Sequence, residues 1–219
     1  MGPRRRFTRP TSGGTLSRPG PGNQVESVLL RKNGSVTRLI LVRHAEPLKS
    51  GDTPGVEWPL TEKGRNDARV LGEELAGRSS GAIVWTSPER RARETAELAF
   101  PLAVVDVRDQ LSEVKKPWYA SADEVTNATS KYLKREVLEG WERREDVTSR
   151  IAQLKSDFGA AESRVLVSHG VFLTSWLDQE IGLADPFLFW SDLRMPDAWE
   201  FDLQEKSLKR HLYRSGWTR

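Results

Sequence analysis

One recurring junction restricts the fold of this chain more than any other feature. A short apolar run stops at once on polar residues able to do chemistry. Leu39-Ile40-Leu41-Val42 stops at Arg43-His44, Ala82-Ile83-Val84-Trp85-Thr86 at Ser87-Pro88, and Arg164-Val165-Leu166-Val167-Ser168 at His169-Gly170. Runs this short and this apolar predict strands buried on both faces. Stretches with helical spacing separate them. Ala68, Leu71 and Leu75 recur behind Thr61, a natural N-cap whose hydroxyl accepts a first-turn N–H, and Gly77 is the expected stop. Further helices are expected from about Pro88 to Ala99, over 121–136 and 143–158 on either side of Gly140, and from about Val171 to Ile181. Ala103 to Val107 and Ala198 to Leu203 read as strands, the last alternating enough to be an edge. This order predicts an α/β fold, a mostly parallel central sheet with helices on both faces.

In such sheets chemistry gathers at the carboxyl ends of the parallel strands. The chain has three histidines, and two of them, His44 and His169, follow directly on apolar strands. An imidazole beside a guanidinium, as at Arg43-His44, suits work on an anionic group. One strand that stops at polar residues carries little weight. Two histidines at matched strand ends carry more.

The 219 residues suffice for about one domain with a sizeable core. No apolar run approaches the roughly 20 residues that span a bilayer. The absence of cysteine excludes disulfides, thiolate metal sites and a cysteine nucleophile, and makes the cytoplasm the default compartment. The basic balance belongs to one end. Arg4, Arg5, Arg6, Arg9 and Arg18 lie within residues 1–24, which contain no acid; without them the chain has 29 basic and 31 acidic residues. A segment so rich in Pro and Gly is expected to be a disordered tail, leaving 25–219 as the domain. Three readings of the tail stand side by side: contact with nucleic acid or anionic lipid, a transit peptide spoiled by Pro and Gly, and a solvated extension. Behind it, Asn33-Gly34 between Val28-Leu29-Leu30-Arg31-Lys32 and Ser35-Val36-Thr37 signals a hairpin and an extra strand.

Five motifs in order then resemble the histidine phosphatase superfamily, the group of phosphoglycerate mutase-like phosphatases. They are Leu41-Val42-Arg43-His44-Ala45-Glu46, Pro59-Leu60-Thr61-Glu62-Lys63-Gly64, Ser87-Pro88-Glu89-Arg90-Arg91-Ala92-Arg93-Glu94-Thr95-Ala96, Leu111-Ser112-Glu113 and Val167-Ser168-His169-Gly170. The resemblance runs from about Arg38 to Leu203 and implies a three-layer α/β/α sandwich. It makes His44 the nucleophile that forms a phosphohistidine, Arg43 and Arg91 the phosphate-binding arginines, and His169 a catalytic donor to a phosphoryl oxygen. Glu113 becomes the general acid and base, a role that calls for a raised pKa near neutral pH. Arg90 and Arg93 are left to the helix surface, and Glu46 to a structural role. Ser87 and Ser168 fit either the pocket or a turn.

The departures bear on the substrate. Ser50 stands where many members have an Asn, Val171 where many have a second Gly, and Ala45 where Gly is commoner. Substrate selection falls to the segment after Glu113. Lys115 and Lys116 fit either a second anionic group or a solvated loop, Trp118 either a ring or sugar face or the core, and Tyr119 is grouped with them. Arg143 and Arg144 fit a helix surface better than a ligand. The helices over 121–158 resemble a lid, which suits a small phosphorylated metabolite better than a protein phosphohistidine. The expected activity is a metal-independent phosphomonoesterase with no cofactor, since no His or carboxylate spacing resembles a ligand set. Its rivals are a phosphomutase of the phosphoglycerate mutase kind and a non-catalytic binding protein on the same fold that uses the basic tail.

Overall fold

The computed structural model describes Gly2, residues 38–158 and residues 163–216. The expected tail and the hairpin around Asn33-Gly34 lie outside these residues. Six strands form one sheet: β1 Arg38–Arg43, β2 Ile83–Thr86, β3 Val105–Val107, β4 Ser163–Ser168, β5 Asp197–Asp202 and β6 Ser207–Arg214, in the order β3-β2-β4-β1-β5-β6. The first four are mutually parallel; β5 runs antiparallel to β1 and to β6. The helices are α1 Glu62–Ser79, α2 Arg90–Ala99, α3 Ala122–Leu133, α4 Arg144–Ser156, α5 Gly170–Ile181 and α6 Pro186–Asp192, with 3-10 turns at Gly55–Glu57 and Asp109–Leu111. All of these belong to the unit Gly34–Arg219.

The period-2 pattern of the strands builds three layers. Ile40, Val42, Val84, Val165 and Val167 face Leu71 and Leu75 of α1 and Ala92, Ala96 and Ala99 of α2. Their strand neighbours Leu39, Leu41, Trp85 and Leu166 face the other way, onto Leu133 of α3, Val147, Ile151 and Leu154 of α4, and Phe172 and Trp176 of α5. Each fully buried side chain of this size contributes about 1.5–3 kcal/mol. Helices α1 and α2 meet almost backbone to backbone. A Cβ on Gly72 would lie 2.2 Å from the Ala99 carbonyl oxygen, so the small residue sets how closely these two helices approach.

Thr61 caps α1 as expected, its hydroxyl accepting from Gly64 N at 2.9 Å. Several other expectations need correction. Helix α1 does not stop at Gly77 but continues to Ser79, because the left-handed residue is Gly81, with φ of 71°. Strand β5 is neither the last strand nor an edge. The edge on that side is β6, whose Lys209, Arg210, His211 and Arg214 hide it from an apolar-pattern reading, as charged edge strands do. Helix α6, capped by Asp185 accepting from Leu188 N at 2.9 Å, was too short to give a period. Of the region 121–158 that resembles a lid, α4 does not fit that reading: it carries three buried residues into the core and forms part of the outer layer. No helix among the described residues is long and apolar enough to cross a membrane.

Candidate active site

Strand order gathers the site. The chain goes out from β1 to β2 and β3, then returns to insert β4 between β2 and β1. The carboxyl ends of β2, β4 and β1 therefore lie side by side, and they deliver Ser87, His169 and His44. The backbone locks this row. His44 N donates to Ser168 O at 2.9 Å, and Ser87 N donates to Val167 O at 3.0 Å.

His44 is buried, and its hydrogen bonds define its tautomer. Nδ1 donates to the Ala45 carbonyl at 2.7 Å, and Nε2 accepts from Arg91 Nε at 3.1 Å. A guanidinium only donates, so the Nε2 lone pair points at Arg91. Burial, then the charges of Arg91 and Arg43, hold the imidazole well below its ordinary pKa and keep it neutral.

Arg91 stands on the first turn of α2 and reaches across the row. Its Nη1 donates to the Gly55 carbonyl at 2.6 Å and its Nη2 to His169 Nδ1 at 3.2 Å. With Nδ1 an acceptor, the His169 proton sits on Nε2, which donates to Ser87 Oγ at 2.8 Å. Burial and then Arg91 also hold His169 well below its ordinary pKa. The two imidazole centroids are 5.0 Å apart, bridged by one guanidinium.

Arg43, at the end of β1, donates from Nη1 to the Leu193 carbonyl at 2.9 Å. Its Nε is buried with no hydrogen-bond partner among the described residues. Gly170, the first residue of α5, makes room for this group. A Cβ there would lie 3.2 Å from Arg43 Cζ and Nε and 3.1 Å from Trp190 Nε1. A buried donor without an acceptor, beside a second arginine and a neutral imidazole, is an arrangement able to receive an anion.

Glu113 is brought to the same place, because Ser168 Oγ ties the Leu111 carbonyl to the end of β4 at 2.6 Å. Its Oε1 accepts from Val114 N and Phe172 N, both at 2.9 Å, and its Oε2 lies 3.7 Å from Lys116 Nζ. The expected raised pKa is overturned. Burial pushes the carboxyl up, but Lys116, the Val114 amide, Arg91 and the Phe172 amide together outweigh it and leave the group below its ordinary value.

A family model, the histidine phosphatase superfamily (branch 1), matches residues 39–197. The chain belongs to the histidine phosphatase superfamily. Solved structures of the same fold include mycobacterial hydrolase 1, with 20% identity, a TM-score of 0.64, and 82% of this chain and 100% of that one covered. The mycobacterial glucosyl-3-phosphoglycerate phosphatase in complex with inorganic phosphate shares 22% identity at a TM-score of 0.61, over 84% and 100% of the two chains. The phosphoserine phosphatase of Entamoeba histolytica in complex with 3-phosphoglyceric acid shares 19% at 0.61, over 82% and 98%. At these identities the likeness is one of fold. No curated protein sequence matches the chain closely enough to count as a relative.

Within this histidine phosphatase fold, the remaining sequence candidates separate. Lys116 sits by Glu113, with its Nζ 5.6 Å from the Trp141 ring centroid. Lys115 is exposed, and its backbone N–H donates to Glu142 Oε2 at 3.1 Å. Trp118 is 68% exposed and stands edge-on to Trp58 at 5.9 Å, neither core nor free loop. Tyr119 turns towards the interior, where its hydroxyl accepts from Trp141 Nε1 at 2.7 Å. Arg90 pairs with Glu94 on the surface, Glu46 accepts from the Thr61 hydroxyl at 3.0 Å, and Arg144 pairs with Asp178 at 3.0 Å. Among the described residues, no group of three or more His, Cys, Asp or Glu side chains is placed to hold a metal ion.

Sequence reasoning missed Glu89. It occupies the N-cap position of α2 but makes no capping bond with its side chain. Its carboxylate turns into the site instead, pairing with Arg91 Nη2 through Oε2 and accepting from Glu113 N at 2.9 Å through Oε1. The one local signal was a poor capping residue where Ser, Thr, Asp or Asn would be ordinary. Burial, reinforced by the charge of Glu113 and opposed by Arg91 and the Glu113 amide, raises its pKa.

Proposed function

We propose that this chain is a metal-independent phosphomonoesterase that hydrolyses the ester of a small phosphorylated metabolite through a phosphohistidine on His44. The observation that carries the reading is the state of that ring. A backbone carbonyl fixes the proton on Nδ1, burial keeps the imidazole neutral, and the Nε2 lone pair points into a cluster of two arginines.

The chemistry follows in two steps. His44 Nε2 attacks phosphorus as the ester P–O bond breaks, and Glu113 gives its proton to the departing alkoxide oxygen. A water oxygen then attacks phosphorus and gives its proton to Glu113. The P–N bond breaks, its electron pair returns to Nε2, and inorganic phosphate leaves. Arg43 and Arg91 spread the charge of the phosphoryl oxygens throughout, which is most of what phosphoryl transfer asks of a protein. Glu113 is ionised in the free site. The negative charge of an arriving phosphate disfavours that state, so substrate binding loads the carboxyl with the proton it later donates. The nucleophile is a side chain and not a bound water, and this is the ground for metal independence. Lys116, which lies by Glu113, and the exposed Trp118 of the same segment are the groups we assign to the ester's organic part.

The test is hydrolysis of an aryl phosphate in EDTA by the wild type and by His44→Ala. Activity in the wild type that vanishes in the variant supports the reading. EDTA-sensitive activity, or activity that survives the substitution, overturns it.

A further inference from the structure

Glu89 has no part in the two steps above, yet it is buried at the centre of the site. The polar groups around it suggest what it does. His169 Nδ1 faces Arg91 Nη2, on the same guanidinium whose Nε faces His44 Nε2; on the reading above, this is the edge of the ring nearest the phosphoryl group. In the free site that edge carries a lone pair and can only accept. The ring proton is on the far edge, where Nε2 meets Ser87 Oγ at 2.8 Å and Glu89 Oε1 at 3.5 Å. His169 therefore cannot donate to a phosphoryl oxygen in the state the free site holds. Donation requires either moving the proton across the ring or adding a second one.

The far edge decides between these. Ser87 Oγ accepts from Glu89 N at 3.2 Å and can still turn its own proton either way, but Glu89 Oε1, which accepts from Glu113 N at 2.9 Å, is an ionised carboxylate oxygen that can only accept from Nε2–H. Removing the Nε2 proton would leave that lone pair against a carboxylate. We propose that Glu89 is a positioning residue which holds the Nε2–H edge of His169, so that the ring meets a phosphoryl group as an imidazolium with Nδ1–H presented to it. This rests on the reading of the site as a phosphoryl pocket.

The other charges around the ring make the condition specific to the occupied site. Arg91 from α2, Arg43 and His44 from the end of β1, and Lys116 from the segment after Leu111 all oppose a cation at His169 while the pocket is empty. An incoming phosphate engages Arg91 and Arg43 and supplies negative charge on the Nδ1 side. Glu89 supplies it on the Nε2 side, its own charge balanced by Arg91 and Lys116 and opposed by Glu113. Binding then takes up one proton from solvent onto Nδ1.

The probe is inorganic phosphate. Binding to the wild type, measured calorimetrically at pH 7.5 in buffers of different ionisation enthalpy, is expected to take up about one proton more per phosphate than binding to Glu89→Gln, beyond the proton that Glu113 takes up in both. The ring ¹⁵N shifts of His169 are expected to move from the neutral to the doubly protonated pattern. Glu89→Gln keeps the size and the acceptor for Glu113 N but not the charge, and is expected to lose that additional proton and the change in the His169 shifts. The pH profile of phosphate binding should move to lower pH in the same variant. If His169 stays neutral in the wild-type phosphate complex, the proposal is overturned without any variant. If Glu89→Gln tightens phosphate equally at every pH and leaves the His169 shifts as in the wild type, Glu89 merely screens Arg91, and the proposal is again overturned. A wild type that binds no phosphate overturns the functional reading itself, which separates the two failures.

Discussion

Arg91 Nε donates to His44 Nε2 across 3.1 Å, so the nitrogen assigned to attack is the nitrogen the guanidinium holds. The same side chain reaches Gly55 O, His169 Nδ1 and Glu89. The free site is therefore already in register around one planar cation, and a phosphoryl group entering it takes over contacts that Arg91 makes with the protein. Arg91→Lys retains the charge but offers a single ammonium in place of a fork that spans four partners. We expect kcat/KM for an aryl phosphate to fall by about 10²–10³, in the range seen for loss of a preorganised transition-state donor. Steady-state kinetics at fixed pH would check this, and a fall of less than tenfold would count against the arrangement.

Glu113→Gln separates its acid role from its structural role. The amide oxygen can still accept from Val114 N and Phe172 N, so the segment should stay in place. An alkyl phosphate, whose leaving group needs a proton, should then lose about 10²–10⁴ in rate, whereas a nitrophenyl phosphate should lose far less. The ratio of the two substrates, compared between wild type and variant, is the readout. Equal losses would place Glu113 outside proton transfer.

Gly170→Ala adds a methyl group 3.2 Å from Arg43 Cζ and Nε and 3.1 Å from Trp190 Nε1. Overpacking of this kind costs about 1–3 kcal/mol, and here part of the strain falls on a proposed phosphate ligand. The expected outcome is a modest drop in Tm together with a rise in the inhibition constant of inorganic phosphate. A drop in Tm with unchanged phosphate inhibition would show that Arg43 does not hold the anion.

Both pocket histidines have folded-state pKa values well below 6.5, so the unfolded chain binds protons that the native state refuses. Stability contributed by these neutral rings is present above pH 6.5 and is lost as pH falls below it. The slope is at most about 1.4 kcal/mol per pH unit for each ring. Glu89, whose folded value is raised, contributes in the opposite sense. Urea unfolding between pH 7.5 and 5 should show stability declining on acidification, with a shallower slope in His169→Asn. The neutral state of His44 also predicts that kcat/KM keeps no acid limb centred near 6.5. A limb there in the pH–rate profile would place His44 in a more solvated site than the structure gives it.

The parts of the fold legible in advance were those written in local pattern. The runs Leu39–Val42, Val84–Trp85 and Val165–Val167 became buried strand segments because an apolar stretch there has no other low-cost environment. Thr61 became a cap because its hydroxyl answers an orphan N–H three residues on. The charged β6 and the seven-residue α6 were missed because neither carries a period. Among site residues, Arg43, His44 and His169 were readable from their positions at strand ends, and Arg91 and Glu113 only through their motif neighbours. The direction of Tyr119 was not legible, because an aromatic in an irregular segment carries no sign of which way it faces; the structure points its hydroxyl at Trp141.

The sequence by itself determined which elements form and which chemical groups stand at their ends, since both follow from neighbours a few residues apart. Tertiary structure alone decided what those groups are to one another. The insertion of β4 between β2 and β1 set His44 and His169 5.0 Å apart, although 125 positions separate them along the chain. Pairing with Arg91 and with the Glu113 amide turned Glu89 inward. Last, tertiary structure set the Glu113 pKa below its ordinary value where a raised one was expected, because ionisation answers to burial and to charges across space, and neither is a property of a residue's neighbours along the chain.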